Sequence, residues 1–207
     1  MANRFITFEG GEGSGKSTQA RLLAERLTAN GHEVVLTREP GGSSLAEKIR
    51  AILLQAKPVS PEAEFLLFAA ARAEHIAATI KPALERGAFV VCDRYLHSTR
   101  VYQGALGNVD RGLITAVERA TVAPYYPALT FLMDLPPETG LERAVRRGDI
   151  NHYDAKDLNW HTHLRAAFLH EAEEEQHMMV VDASRAQTPI AEDIWSKIVA
   201  AFALGAP

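Results

Sequence analysis

The chain has one cysteine, no long apolar run and no surplus of positive charge, and each absence removes a class of function. A lone Cys92 cannot form an internal disulfide, so a reducing compartment is expected. It lies in the run Phe89-Val90-Val91-Cys92, where a thiol reads as a buried strand residue rather than a nucleophile. No stretch approaches the roughly 20 apolar residues of a membrane span. The N-terminus lacks the basic-then-apolar layout of a secretory signal, so a cytoplasmic protein is expected. With a net charge of −4 the chain as a whole does not attract nucleic acid or an acidic membrane, and any anion site has to be built locally. Two guanine-nucleotide signatures, N-K-x-D and D-x-x-G, are also missing, which argues against a GTPase. Hydrophobic residues make up 47% of the 207 and charged residues 23%, which is ordinary for a soluble globular protein. That balance suits one domain over residues 1–207.

What is present begins at once. Phe5 to Thr18 reads FITFEGGEGSGKST, an apolar strand-like run followed by a match to the phosphate-binding pattern G-x-x-x-x-G-K-[ST]. Ala20, Leu22, Leu23, Ala24 and Leu27 then recur at helical spacing, so strand, glycine loop and helix stand in the required order. Glycines at 10, 11, 13 and 15, with Glu12 and Ser14 between them, let the backbone curl and aim its N–H groups at phosphate oxygens. The positive end of the following helix lies beneath. Lys16 adds a charge for the β- and γ-phosphates, and the Ser17 hydroxyl can join a Mg²⁺ shell, with Thr18 next to it. A nucleoside triphosphate site is the reading.

Strand-like and helical segments alternate over the rest of the chain, which predicts an α/β fold with a five-stranded parallel sheet, layered as α/β/α like P-loop NTPases. Strands are expected at Glu33 to Thr37, Ala88 to Asp93, Leu129 to Asp134 and Met178 to Asp182. Helical periodicity runs from Ser44 to Gln55, from about Glu62 to Arg86 with a kink at Pro82, from Leu113 to Thr121, from Pro137, from Leu158 to Gln176, and from Pro189 to Leu204. Residues 148–157 lack an apolar period and read as a mobile lid. The acidic run Glu171 to Glu175 reads as a solvated helix face.

Asp93 ends an apolar run and Arg94 follows it. An aspartate there either caps a turn or stands beside the Mg²⁺, and the adjacent arginine favours metal and phosphate. Arg38 and Arg50 bracket the second loop–helix unit. Phe68 and Arg72 share a helix face at i, i+4, either as a base-binding pair or as a core aromatic beside a surface cation; spacing alone favours the second.

The stretches FEGGEGSGKST, TREPGGSSLAEKIR, LLFAAARAEH, CDRYLHSTRVYQG and VVDAS together resemble the bacterial thymidylate kinase family over most of the chain. The resemblance implies a homodimeric enzyme that phosphorylates dTMP to dTDP with ATP and Mg²⁺. It implies that Lys16 and its loop hold the ATP phosphates, with Ser17 and Asp93 at the metal. Arg50 and Arg94 would grip the dTMP phosphate, and Glu39 would approach the acceptor sugar and the metal-bound water. Phe68 would stack on thymine, Arg72 and Gln103 would read its polar edge with Ser98 or Thr99 close by, and Tyr102 would pack under the deoxyribose. Arg143 and the turn Asp182-Ala183-Ser184 would flank adenine. The resemblance thus reverses the reading of Phe68 and Arg72 from spacing alone.

The chain departs from the family in the lid. Where relatives without a basic loop residue carry D-R-x-E, this sequence has Asn151-His152-Tyr153-Asp154. Where they carry F-x-x-R-V-R, it has Trp160-His161-Thr162-His163-Leu164-Arg165. The missing cation is therefore assigned to Arg147, with Arg146 next, or to a protonated His152. Two alternatives stand beside dTMP phosphorylation: a kinase for another deoxypyrimidine monophosphate, and a nucleotide-binding protein with weak catalysis because of that altered lid.

Overall fold

The computed structural model describes residues 3–54, 59–148, 153 and 155–204, with Arg147 in its backbone only. Its strands are β1 (Phe5–Glu9), β2 (Val34–Arg38), β3 (Phe89–Asp93), β4 (Leu129–Asp134) and β5 (Met178–Asp182). Its helices are α1 (Lys16–Ala29), α2 (Ser44–Leu53), α3 (Pro61–His75), α4 (Lys81–Glu85), α5 (Leu96–Thr99), α6 (Arg111–Thr121), α7 (Pro137–Arg147), α8 (Leu158–Glu174) and α9 (Gln187–Phe202). The strands form one parallel sheet in the order β2-β3-β1-β4-β5. Runs such as Phe89-Val90-Val91-Cys92 have no polar alternation because the inner strands of such a sheet bury both faces. The outer strands β2 and β5 are the partly exposed ones.

Side chains alternate across the sheet with period two. Ile6, Phe8, Phe89 and Val91 pack on the face covered by α1 and α9, with Leu23, Leu27, Ile194 and Ile198. Phe5, Val90 and Cys92 point the other way, toward Ile76, Ile80 and Ala83. On that second face Leu132 meets Leu164 and Phe168 of α8. Helices thus cover both faces, the expected three layers.

The segment from Pro61 to Glu85 is helical throughout, but its middle, Ile76–Ile80, is a π-helical turn. Pro82 explains it. The ring has no N–H to bond the carbonyl four residues back and crowds that carbonyl, and a widened turn absorbs both defects. A second π-helical turn, Arg100–Ala105, follows α5 directly. The acidic run differs from its solvated-face reading. Arg100 reaches Glu175 at 2.5 Å and Glu171 at 3.4 Å while its other nitrogens hold Glu118 at 2.9–3.2 Å. The i, i+4 spacing of Glu171 and Glu175 aims both at this one arginine, so the run ties α8 to the π-helical turn and to α6. The expected end of the second helix at Gln55, and lid residues Asn151, His152 and Asp154, lie outside the described residues.

The glycine loop is wedged against α7. Gly13 has φ 68°, and a Cβ there would stand 2.0 Å from the Gly140 carbonyl oxygen; a Cβ on Gly140 would stand 2.5 Å from the Glu12 carbonyl oxygen. Two backbones meet with nothing between them. Gly140→Ala should therefore force loop and helix apart. The expected loss is about 1–3 kcal/mol, the range for overpacking. Thermal melts of both proteins measure it, and a melt that overlays the parent's would show that the contact is loose.

Candidate active site

Gly15, left-handed at φ 88°, caps α1, whose first turn carries no acidic side chain to compete for its N–H groups. The positive helix end is thereby left open to an anion. Lys16 is buried and turns its ammonium back on the loop, donating to the Gly11 carbonyl at 2.6 Å and to Ser14 Oγ at 3.2 Å. Burial, with the Arg94 cation adding to it, brings its pKa down to about 8 despite Glu12, Asp93 and Glu9. Ser17 Oγ donates to Asp93 Oδ2. Asp93 Oδ1 is buried with no partner among the described residues. A hydroxyl beside a carboxylate with an oxygen to spare is a donor set that fits Mg²⁺, which takes one or two protein oxygens and completes its shell with phosphate and water.

Arg94 lies across the loop from Lys16. Its Nη2 donates to both Glu12 oxygens, at 2.9 and 2.8 Å, and its Nη1 to the Gly10 carbonyl at 3.0 Å and Ser98 Oγ at 3.2 Å. Tyr102 OH donates to Glu12 Oε1 at 2.7 Å, and the Arg94 guanidinium lies 5.3 Å from the centre of the Tyr102 ring. Burial acts to raise the Glu12 carboxyl, but Arg94, Lys16 and Tyr102 outweigh it and bring it to about 2. Behind them Glu9, 0% exposed, accepts the Tyr95 N–H at 2.8 Å, the Ser98 N–H at 3.3 Å and the Ser98 hydroxyl at 2.6 Å. Burial pushes Glu9 up to about 7, against the lowering effect of Ser98, Arg94 and the two N–H groups. His97 Nδ1, 3.9 Å from Glu9, gives it no charge, because burial and the Arg100 and Arg72 cations hold that imidazole down to about 3.

The second cluster is built on α3. Arg72 is 4% exposed, so it is no surface cation. It donates from Nε to Glu39 Oε2 at 2.7 Å and from Nη2 to the Tyr95 carbonyl at 3.1 Å and Thr99 Oγ1 at 2.8 Å. His75, one turn on, holds the other Glu39 oxygen at 3.0 Å and Thr37 Oγ1 at 2.7 Å. Gly42, left-handed at φ 82°, closes the same loop, and a Cβ there would stand 2.3 Å from His75 Nε2. Both Glu39 oxygens are thus engaged within the protein. Arg50 donates only to the Pro40 carbonyl at 2.8 Å and forms no ion pair among the described residues; burial and the nearby Arg38 lower its pKa.

One cavity of about 410 Å³ joins the two clusters. Glu12, Gly13, Gly15, Lys16, Ser17, Thr18 and Asp93 line it together with Glu39, Arg50, Phe68, Arg72, Arg94, Ser98, Thr99, Tyr102 and Gln103. Gly10, Gly11 and Ser14 support the loop from behind. Arg143 and Ala183 do not line this cavity; they meet each other, Arg143 Nη1 donating to the Ala183 carbonyl at 3.1 Å. The side chain of Arg147 and all of His152 lie outside the described residues.

A sequence-family model for thymidylate kinase matches residues 8–194. The thymidylate kinase of Nitrobacter winogradskyi is 49% identical over 94% of this chain and 87% of its own length. That of Caulobacter vibrioides is 50% identical over 86% of this chain and 88% of its own. This chain belongs to the thymidylate kinase family. The crystal structure of thymidylate kinase from Ehrlichia chaffeensis, 34% identical, shares the fold at a TM-score of 0.76 over 94% of this chain and 97% of that one.

Within this thymidylate kinase site, sequence reading missed Glu9, Glu64, His75 and Gly140. Glu9 left a trace: it is a carboxylate ending a largely apolar strand, immediately before the glycine loop. Gly140 left none, because its role depends on where α7 crosses the loop. The raised pKa of Glu9 has a measurable consequence. Its folded value, about 7, lies above the ordinary value of 4.5, so the folded protein holds the proton more tightly and this contribution to stability is lost as pH rises from about 4.5 through 7. Over that window the parent should lose about 3 kcal/mol relative to Glu9→Gln. Urea unfolding of both proteins at several pH values measures this. A difference that does not vary with pH would mean that Glu9 titrates normally.

Proposed function

We propose that the chain transfers the terminal phosphoryl group of ATP to dTMP, giving dTDP and ADP. Membership of the thymidylate kinase family supports it. The observation that carries the assignment of roles is the shared cavity, in which the phosphate loop meets an aromatic–arginine–amide set, Phe68, Arg72 and Gln103. The alternative of a different deoxypyrimidine acceptor is not favoured by the relatives, and rates on dTMP, dUMP, dCMP and UMP test it directly.

In this reading the loop N–H groups and Lys16 bind the donor phosphates, and Ser17 and Asp93 hold Mg²⁺. When bound there the metal supplies positive charge against the phosphate oxygens. Arg50, a cation without a carboxylate partner among the described residues, and Arg94 bind the acceptor phosphate, for which a guanidinium fork is suited. The acceptor oxygen of dTMP is already ionised, so no general base is needed. It forms the new bond to the terminal phosphorus as the bond to the bridging oxygen breaks, and ADP leaves with that electron pair. Phe68 stacks on thymine and Arg72 and Gln103 meet its polar edge, with Ser98 and Thr99 nearby. Glu39 acts mainly by fixing Arg72. Tyr102, held by Glu12, packs against the sugar and disfavours a ribose 2′-hydroxyl. Arg143 and Ala183 flank adenine. Arg147, with Arg146 next, is assigned the cation that a protonated His152 would otherwise supply.

The transfer is in this reading the work of one domain in the cytoplasm. No helix among the described residues is long and apolar enough to cross a membrane. A homodimer is part of the proposal, because Leu45 and Ile52 of α2 and Leu66 of α3, two helices packed on each other, expose apolar side chains that a second copy would cover.

Lys16→Ala should lower kcat by about 10²-fold or more in a folded protein, as expected for loss of a transition-state charge donor. Turnover within tenfold of the parent would remove the loop from the mechanism. Arg72→Ala should weaken dTMP binding by about 1–3 kcal/mol and leave ATP affinity nearly unchanged. Equal losses for both nucleotides, measured by steady-state kinetics, would reduce Arg72 to a structural residue.

A further inference from the structure

Gln103 is buried in the wall of the cavity, and its amide is not free to turn. Nε2 donates to Glu64 Oε1 at 2.8 Å and lies 3.4 Å from Tyr153 OH, which itself donates to the same Glu64 oxygen. A carboxylate oxygen can only accept, so the end of the amide that faces Glu64 must be the nitrogen. The other end, Oε1, has no donor among the described residues. Glu64 stands one helical turn before Phe68 and two before Arg72, on the face of α3 that carries both.

We propose that Glu64 is the specificity-determining residue of the acceptor site: by fixing Gln103 with its oxygen toward the base, it selects pyrimidines that carry a ring N–H and rejects cytosine. The proposal rests on the reading that Gln103 meets the acceptor base. Thymine and uracil carry a donor at N3, which an amide oxygen accepts. The N3 of cytosine is an acceptor, and against Oε1 it would leave two lone pairs facing each other. Cytosine would be served by turning the amide over, since Nε2 could then donate to its N3. Glu64 forbids that turn, because Oε1 would then face a carboxylate oxygen. Tyr153 sharpens the restriction by placing its hydroxyl against the same oxygen. Glu64 touches no substrate in this scheme and acts only through Gln103, so it is a positioning residue.

Glu64→Gln separates orientation from packing. The new side chain has the same shape but offers either a donor or an acceptor, so Gln103 can present either end to the base. The measured quantity is the ratio of kcat/KM for dTMP to that for dCMP, with KM for ATP alongside. Glu64→Gln is expected to lower the ratio about tenfold or more, with activity on dCMP rising as activity on dTMP falls and KM for ATP unchanged. An unchanged ratio, including equal losses on both acceptors, would overturn the role of Glu64. Gln103→Ala tells the two readings apart. If it lowers the ratio when Glu64→Gln does not, Gln103 still reads the base and only the control by Glu64 fails. If neither variant moves the ratio, the base reading fails as well.

Discussion

The site depends on one largely enclosed guanidinium. Arg94 follows the last residue of β3 with a left-handed backbone, φ 68°, a conformation that costs a non-glycine residue free energy unless its surroundings enforce it. They do so from both sides. Glu12 takes Nη2 with two oxygens, the Gly10 carbonyl and Ser98 take Nη1, and Glu9 fixes the Tyr95 and Ser98 N–H groups of the turn that Arg94 begins. Two carboxylates from the end of β1 and the loop after it therefore hold the turn after β3. Removing either partner leaves the other charge uncompensated in a largely enclosed place. The ion pair is thus a constraint on geometry more than a source of net stability.

Register makes that meeting unavoidable. β1 and β3 are parallel neighbours with Phe8 opposite Asp93, so the loop after β1 and the turn after β3 leave the sheet at the same end and level. Ser17 at the start of α1 then reaches Asp93 without any further device. β4 flanks β1 on its other side, with Glu9 opposite Leu132, and α7 leaves β4 to pass over the loop where Gly13 and Gly140 allow backbone contact. In a parallel sheet whose connections reverse direction at the central strand, this is where ligands are expected to bind.

The fold was legible because its signals are local. Apolar runs without alternation marked all five strands, the loop pattern marked the turn into α1, and Pro82 signalled a kink, though not that it takes the form of a π-helical turn. The candidate site was legible only where a residue type is chemically unusual for its place, as with Lys16, Asp93 and Arg94. Phe68 and Arg72 show the limit. Their spacing is equally that of a core aromatic and a solvated cation, and only the carboxylate of Glu39, 33 residues away in sequence, decides that Arg72 is buried. Glu64 and the acidic run at Glu171 to Glu175 were illegible for the same reason. A carboxylate on a helix reads as solvated until its partner is known, and Gln103, Tyr153 and Arg100 are remote in sequence.

Charge explains why such partners matter here. The chain carries a net charge of −4, yet its cavity is lined by Lys16, Arg38, Arg50, Arg72 and Arg94 against the carboxylates of Glu12, Glu39 and Asp93. The cationic excess is local, as an anion site in an acidic protein must be. It is also distributed with purpose. Glu39 and Glu12 occupy Arg72 and Arg94, while Arg50 keeps no carboxylate among the described residues. The paired arginines are thereby fixed in orientation, which suits reading a base edge in the case of Arg72 and meeting the acceptor phosphate in a set direction in the case of Arg94. The unpaired one retains its full attraction for a phosphate. Two anions that repel each other can approach only if protein charge stands between and around them, and preorganised cations do this without reorganising at the moment of transfer. The carboxylates are therefore part of the anion site, since they hold its cations in place.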